Sequence, residues 1–367
     1  MKQQLAGAVV LVSLVTTACT GPAASGQAPS SEAAATVKAP LSPAEARESL
    51  RAANVALAEA MAKKGSAEGI ASSAAADAVL LLDGAYTLRG ADAIRTKLSA
   101  EPLERDGVLS AEPIIWDISA DGRMGYAVGQ ILLDSTGGAP GASAPAGPAG
   151  GAAPGASGAQ GSAASAPAPG APAAPPKLKP GKRYQRSLTV WTRTPDGPWQ
   201  LAAGVLGKAR GPLAVPPTFS IASTVTPPVT APSAPSDVLA EAFAADSAFS
   251  DQSVREGMGI AFVTWAAPDA VIPGGPSGLF GHAAIQENYG PITHEQVDLR
   301  WEPKLGGAAS SGDMAYTVGR AVSVSKGPDG KPETHYVKYL SVWRRQPDGQ
   351  WRYVADSGNG NPGPEGP

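Results

Sequence analysis

From Leu299 to Gly358, apolar and polar residues alternate in four short runs separated by turn residues. That period of two is the signature of strands with one buried face. Trp301 ends the first run, Met314–Val324 forms the second, Tyr336–Arg345 the third and Trp351–Asp356 the fourth. The last two are joined by Gln346-Pro347-Asp348-Gly349, where Pro presets φ, Asp caps the turn and Gly takes the positive φ. An antiparallel meander is the expected result.

The pattern ahead of the meander is helical. Ser236 is the expected cap of a helix carrying Leu239, Ala242, Phe243, Asp246 and Phe249, which ends near Gly257. An earlier stretch reads the same way. Ser42-Pro43 supplies an N-cap and a first-turn Pro, and Ala46, Leu50, Ala53, Leu57 and Met61 follow at helical spacing. A short helix over 67–76, a strand at 77–82 and a helix over 91–98 come next. Strands are expected at 113–119, 124–133, 183–193 and 199–206. Helices followed by a meander predict an α+β fold, with helices packed on one face of an antiparallel sheet.

The two stretches are copies. Residues 67–79 match 259–271 without a gap at an offset of 192, and Gly125-Tyr126 match Ala315-Tyr316 at 190. Trp116 pairs with Trp301 at 185, and Trp191 and Trp199 pair with Trp343 and Trp351 at 152. The fall in offset places a low-complexity tract, 136–180, inside one hairpin of the first copy. Its Ala/Gly/Pro composition cannot bury a core. Counted as 41–135 with 182–208, and as 236–357, each copy is 122 residues long. The expected organisation is a signal peptide at 1–19, a tether at 20–40 and a first domain at 41–208. A Pro-rich linker at 209–235, a second domain at 236–357 and a disordered tail at 358–367 complete it.

Composition narrows the classes. The net charge is −3 and there is no basic run, so the electrostatic footprint of a nucleic-acid binder is missing. Cys19 is the single cysteine, which excludes an intrachain disulfide and a cysteine-based zinc site. His282, His294 and His335 lie on different expected elements without metal-ligand spacing, so no metal and no cofactor is expected. Met1-Lys2, the apolar run Leu5–Val15 and Val15-Thr16-Thr17-Ala18-Cys19 together resemble the signal peptide and lipobox of bacterial lipoproteins. That resemblance implies a lipidated Cys19 and a membrane-tethered cell-envelope protein. In a cell with an outer membrane it would sit on the periplasmic side.

The second copy resembles a nuclear transport factor 2-like domain of the SnoaL-like type, including a branch described only as a domain of unknown function. The residues that carry this are Ala245–Phe249, Ala267–Val271, Gly281 with Ala284-Ile285, Leu299-Arg300-Trp301, and Val342–Arg345 through Asp356. The first copy is a degenerate version. The resemblance implies two cones, each a bent sheet around a long N-terminal helix, enclosing a pocket suited to a small hydrophobic ligand.

Asp246 is the sharpest candidate in that pocket. A lone acid among Phe243, Ala245 and Phe249 would become a usable proton acceptor if it faced inward, with Tyr316 or Tyr339 as the hydroxyl partner. Trp265, Trp301, Trp343 and Asp356 complete the binding candidates. Asp246 is replaced by Asn54 in the first copy, Tyr339 by Ser187 and Asp356 by Gly204, so any ligand role is expected in the second. The domains are expected to pair through their sheets, within one chain or as a homodimer. Trp191 and Trp343, on the more polar strand face, would then anchor that interface. Two functions compete: non-catalytic small-ligand or protein binding, and isomerase- or dehydratase-like proton transfer on a hydrophobic substrate.

Overall fold

The computed structural model describes residues 41–100, 107–134, 182–221 and 234–364. The expected signal peptide with Cys19, the tether, the 136–180 insert and the 222–233 part of the linker lie outside the described residues. The first repeat consists of α1 (Pro43–Lys64), α2 (Ser66–Ser73), β1 (Ala74–Leu82), β2 (Leu88–Arg89) and α3 (Ala91–Ser99), then β3 (Gly107–Ile118), β4 (Met124–Asp134), β5 (Lys182–Thr192) and β6 (Gln200–Ala209). The second repeats the order: α4 (Pro235–Glu256), α5 (Met258–Trp265), β7 (Ala266–Ile272), β8 (Leu279–Phe280) and α6 (His282–Tyr289), then β9 (Val297–Ala308), β10 (Met314–Lys326), β11 (Pro332–Arg345) and β12 (Trp351–Gly360).

Each repeat is α+β, a six-stranded sheet with its long first helix against one face. The orders are β2-β1-β6-β5-β4-β3 and β8-β7-β12-β11-β10-β9. The meanders are antiparallel, but β1 runs parallel to β6 and β7 to β12. Those two strands reach their neighbours through a helix and a whole meander, the long crossover a parallel pair requires. The arrangement is the cone that the sequence resemblance implies.

Helix starts follow local chemistry. Ser42 caps α1 in a complete capping box, its Oγ accepting from the Glu45 N–H while the Glu45 carboxylate accepts from the Ser42 N–H. In α4 the structure corrects the expected cap: Ala234 is the N-cap, Pro235 opens the helix, and Ser236 lies inside the first turn. The residue before a proline is pushed out of the helical region, so the boundary falls at Ala234.

The two faces of the central strands do different work. Trp343 and Trp191 turn inward onto the helices of their own cones and are not interface anchors. Trp343 is fully buried, 6.2 Å from Phe249 and 6.1 Å from Trp265 between ring centroids. Its Nε1–H donates to Thr317 Oγ1 at 2.9 Å, and Trp191 Nε1–H donates to Thr189 Oγ1 at 3.0 Å. A buried indole needs such a partner. Leu340 and Val342 occupy that opposite face and share one buried cluster with Tyr126, Val128, Leu188 and Val190 of the first repeat. The outer sheet faces therefore pack on each other, as in a sandwich.

Polar groups seal the rim of this contact in near-symmetric pairs. Asp313 Oδ2 accepts from the Ala120 N–H at 3.0 Å, and Asp121 Oδ2 accepts from the Ser311 N–H at 3.1 Å. Arg344 meets Asp117 at 2.7 Å and donates to the Ile118 carbonyl at 2.9 Å, all three buried. Arg186 reaches across to the β7–β8 loop, donating to the carbonyls of Pro273 at 2.7 Å and Pro276 at 2.7 Å.

Two boundaries move. The start of the expected linker packs instead of wandering: Leu213 is buried, Ala214 N–H donates to the Ser277 carbonyl at 3.0 Å, and Phe219 meets Phe280 edge-on at 5.4 Å. At the other end, β12 continues through Gly360, so 358–360 is sheet and not tail. Asn359 is buried there, its Nδ2 donating to the carbonyls of Leu81 at 3.0 Å and Leu206 at 3.1 Å in the first repeat.

Candidate functional site in the two cones

Along α4, Ala242, Ala245, Asp246, Phe249, Ser250 and Ser253 form one buried stripe at helical spacing. Two serines fix that stripe to β9. Ser250 Oγ accepts from Trp301 N–H and donates to Trp301 O, both at 2.8 Å, and Ser253 Oγ donates to Leu299 O at 2.7 Å. So placed, the Trp301 indole Nε1–H donates to Asp246 Oδ1 at 2.7 Å. Tyr339 O–H donates to Asp246 Oδ2 at 2.8 Å. It reaches there because its ring lies across Gly319, where a Cβ would come within 2.6 Å of the ring. The Thr317 hydroxyl accepts from Trp343 and acts to lower the Asp246 pKa.

Asp246 is fully buried. Burial pushes its pKa up to about 6, against the lowering effect of Thr317, Tyr339 and Trp301. The Tyr339 hydroxyl is driven well above its ordinary value by burial and by the neighbouring Asp246 charge. Asp356 lies on the same interior face, with Ser341 Oγ donating to its Oδ2 at 2.5 Å. Burial, with the Asp246 charge adding to it, raises Asp356 to about 7.

Aromatic rings fill the rest of this cone. Phe249 stacks on Tyr353 at 5.7 Å and meets Phe262 at 4.9 Å and Trp301 at 4.5 Å edge-on. Trp265 closes one side, its Nε1–H donating to Gln252 Oε1 at 2.8 Å. The structure thus brings Asp246, Tyr339, Trp301, Trp343, Trp265 and Asp356 into one interior and leaves Tyr316 out. Tyr316 alternates with the inward Thr317, so it lies on the outer sheet face, with burial raising its hydroxyl to about 12.

The strand registers correct one equivalence. Trp301 pairs with Ala321 on β10, and the same place in the first repeat is held by Ala111, which pairs with Ile131 on β4. Trp116 pairs with Ala127, so it is not the counterpart of Trp301. With the register set, the first cone has small or aliphatic side chains at five places where the second has rings, while Trp191 keeps the ring of Trp343. Ala111 stands for Trp301, Ser187 for Tyr339, Leu57 for Phe249, Ile70 for Phe262 and Leu201 for Tyr353. Those five residues and Asn54, the counterpart of Asp246, line a cavity of about 40 Å³ open to the surface. The cavity lies in the repeat that sequence reasoning set aside. A gapless comparison of 111–133 with 301–323, reading Ala-Glu-Pro against Trp-Glu-Pro, carries that signal in the sequence.

No family model matches the chain, and no curated protein matches it. Solved structures match over one repeat's length. A ketosteroid isomerase-like protein from Erwinia carotovora atroseptica is 22% identical over 34% of this chain and 92% of its own, with a TM-score of 0.27. A nuclear transport factor 2-like protein with a cystatin-like fold from Novosphingobium aromaticivorans is 18% identical over 34% and 81%, with a TM-score of 0.28. A nuclear transport factor 2-like superfamily protein from Salmonella enterica serovar Typhimurium is 16% identical over 35% and 89%, with a TM-score of 0.25.

Proposed function

We propose that this chain is a lipid-anchored cell-envelope protein that binds a small ligand or a protein and does not transform it. The observation that carries this reading is the state of Asp246. A general base needs a lone pair facing the substrate proton. Asp246 accepts from Trp301 at 2.7 Å on one oxygen and from Tyr339 at 2.8 Å on the other, inside a cone filled by Phe249, Phe262 and Tyr353. Such a carboxylate is a hub that orients aromatic side chains.

The competing reading is proton transfer, favoured by the Asp246–Tyr339 contact and by a carboxyl raised to about 6. Incubation with a β,γ-unsaturated cyclic ketone, followed by the absorbance of the conjugated product, separates the two. No conversion above the buffer rate is expected. Conversion that disappears in Asp246→Asn would establish the enzyme reading instead. The anchor is tested separately. Labelled fatty acid should attach to the wild-type chain and not to Cys19→Ser, and an unlabelled wild-type chain would remove the membrane from the proposal.

A further inference from the structure

We infer that the binding site of this protein is the cone of the first repeat, and that it takes the uncharged aliphatic end of a ligand bearing a neutral hydrogen-bonding group. The inference rests on the binding reading above.

The cavity exists because the plug is missing. Replacing Trp301, Tyr339 and Tyr353 by Ala111, Ser187 and Leu201 removes three ring systems, and the backbone around them has not collapsed to refill the space. Close-packed interiors retain few voids larger than a water molecule. A space of about 40 Å³ holds more than one water, each needing about 10–15 Å³. It is too small for a whole drug-sized ligand, which occupies roughly 300 Å³ or more. An open pocket of this size fits the end of a chain.

The wall sets the chemistry. Leu57, Ile70, Leu80 and Leu201 make it mostly apolar. Asn54 gives one of its two Nδ2–H donors to the Leu50 carbonyl at 2.9 Å, leaving the other N–H and its amide oxygen. Ser187 adds a hydroxyl that both donates and accepts. Glu112 is the one ionisable residue along the wall, and its carboxylate is held by Gln130 Nε2–H at 2.9 Å. Glu112 is exposed and, alternating with the inward Ala111, turns its carboxylate to the other sheet face, so no charged side chain enters the cavity, and burying an unpaired charge is costly. A neutral alcohol satisfies Asn54 and Ser187 without a charge to bury, whereas a carboxylate or an ammonium group of the same length brings one with no counterion.

The test uses the full chain carrying Cys19→Ser, which keeps detergent out of the assay, and 1-butanol as probe, with butyrate and butylammonium as its charged counterparts. Saturation-transfer NMR should show 1-butanol at least threefold stronger than either ion. The signal should vanish in Ala111→Trp, which installs the second repeat's plug, and in the milder Leu57→Phe. It should persist in Asp246→Asn. A butanol signal that survives both filled variants, or one equalled by butyrate or butylammonium, overturns the inference. Turnover of the unsaturated ketone would instead overturn the binding reading, so the two failures are distinct.

Discussion

Replacing Arg344 by Met lowers the stability of the chain by about 3–5 kcal/mol, the usual cost of leaving a buried ion without its partner. Arg344 is the counterion of Asp117 across the two sheets at 2.7 Å, and their side chains are only 6% and 3% exposed. Arg47 stands 3.8 Å from the other Asp117 oxygen, too far and too exposed to take over. Removing Arg344 also leaves the Ile118 carbonyl without that donor. The double variant Arg344→Met with Asp117→Leu should recover much of the loss, because it removes both charges from the apolar contact. Urea unfolding of the single and double variants measures both quantities. A single-variant loss under about 1 kcal/mol would mean that water reaches Asp117 and that the sheet contact is loose.

Raising the pH from 5 to 8 lowers the melting temperature by roughly 5–10 °C, from a loss of order 2–4 kcal/mol spread over a chain of this size. The sign follows from direction. Asp246 and Asp356 have folded values raised to about 6 and about 7, above the ordinary carboxyl range. Each therefore contributes stability that is complete below the unfolded value, near pH 4, and is lost as the pH climbs through the folded value. Both groups face the same cone, and the Asp246 charge disfavours ionisation of Asp356. Asp356→Asn keeps an acceptor for Ser341 and cannot ionise, so its melting temperature should fall less over the same interval. A wild-type chain that melts higher at pH 8 than at pH 5 would show that the two carboxyls are solvated.

Much of the layout is legible in the chain itself. Alternation in 299–358 gives the meander, the Ser42-Pro43 cap gives the start of α1, and the repeat gives two equal α+β units. These are local matters, decided by side-chain period and by turn and cap chemistry within a few residues. The lone acid on α4 was legible for the same reason, because its neighbours at helical spacing are apolar.

Tertiary structure decided what period alone leaves open. Alternation puts Trp343 on one face and Val342 on the other, but it does not say which face meets the helix. That depends on where an indole N–H finds an acceptor, and Thr317 lies on another strand, 26 residues away. Tyr316 and Tyr339 were equal candidates until the register of β10 on β11 placed one outward and one on Asp246. The cavity is decided in the same non-local way. No single residue of the first repeat announces a void, since Ala111, Ser187 and Leu201 are ordinary strand residues. It opens because three strands bring three small side chains to one point, where the other repeat brings three rings.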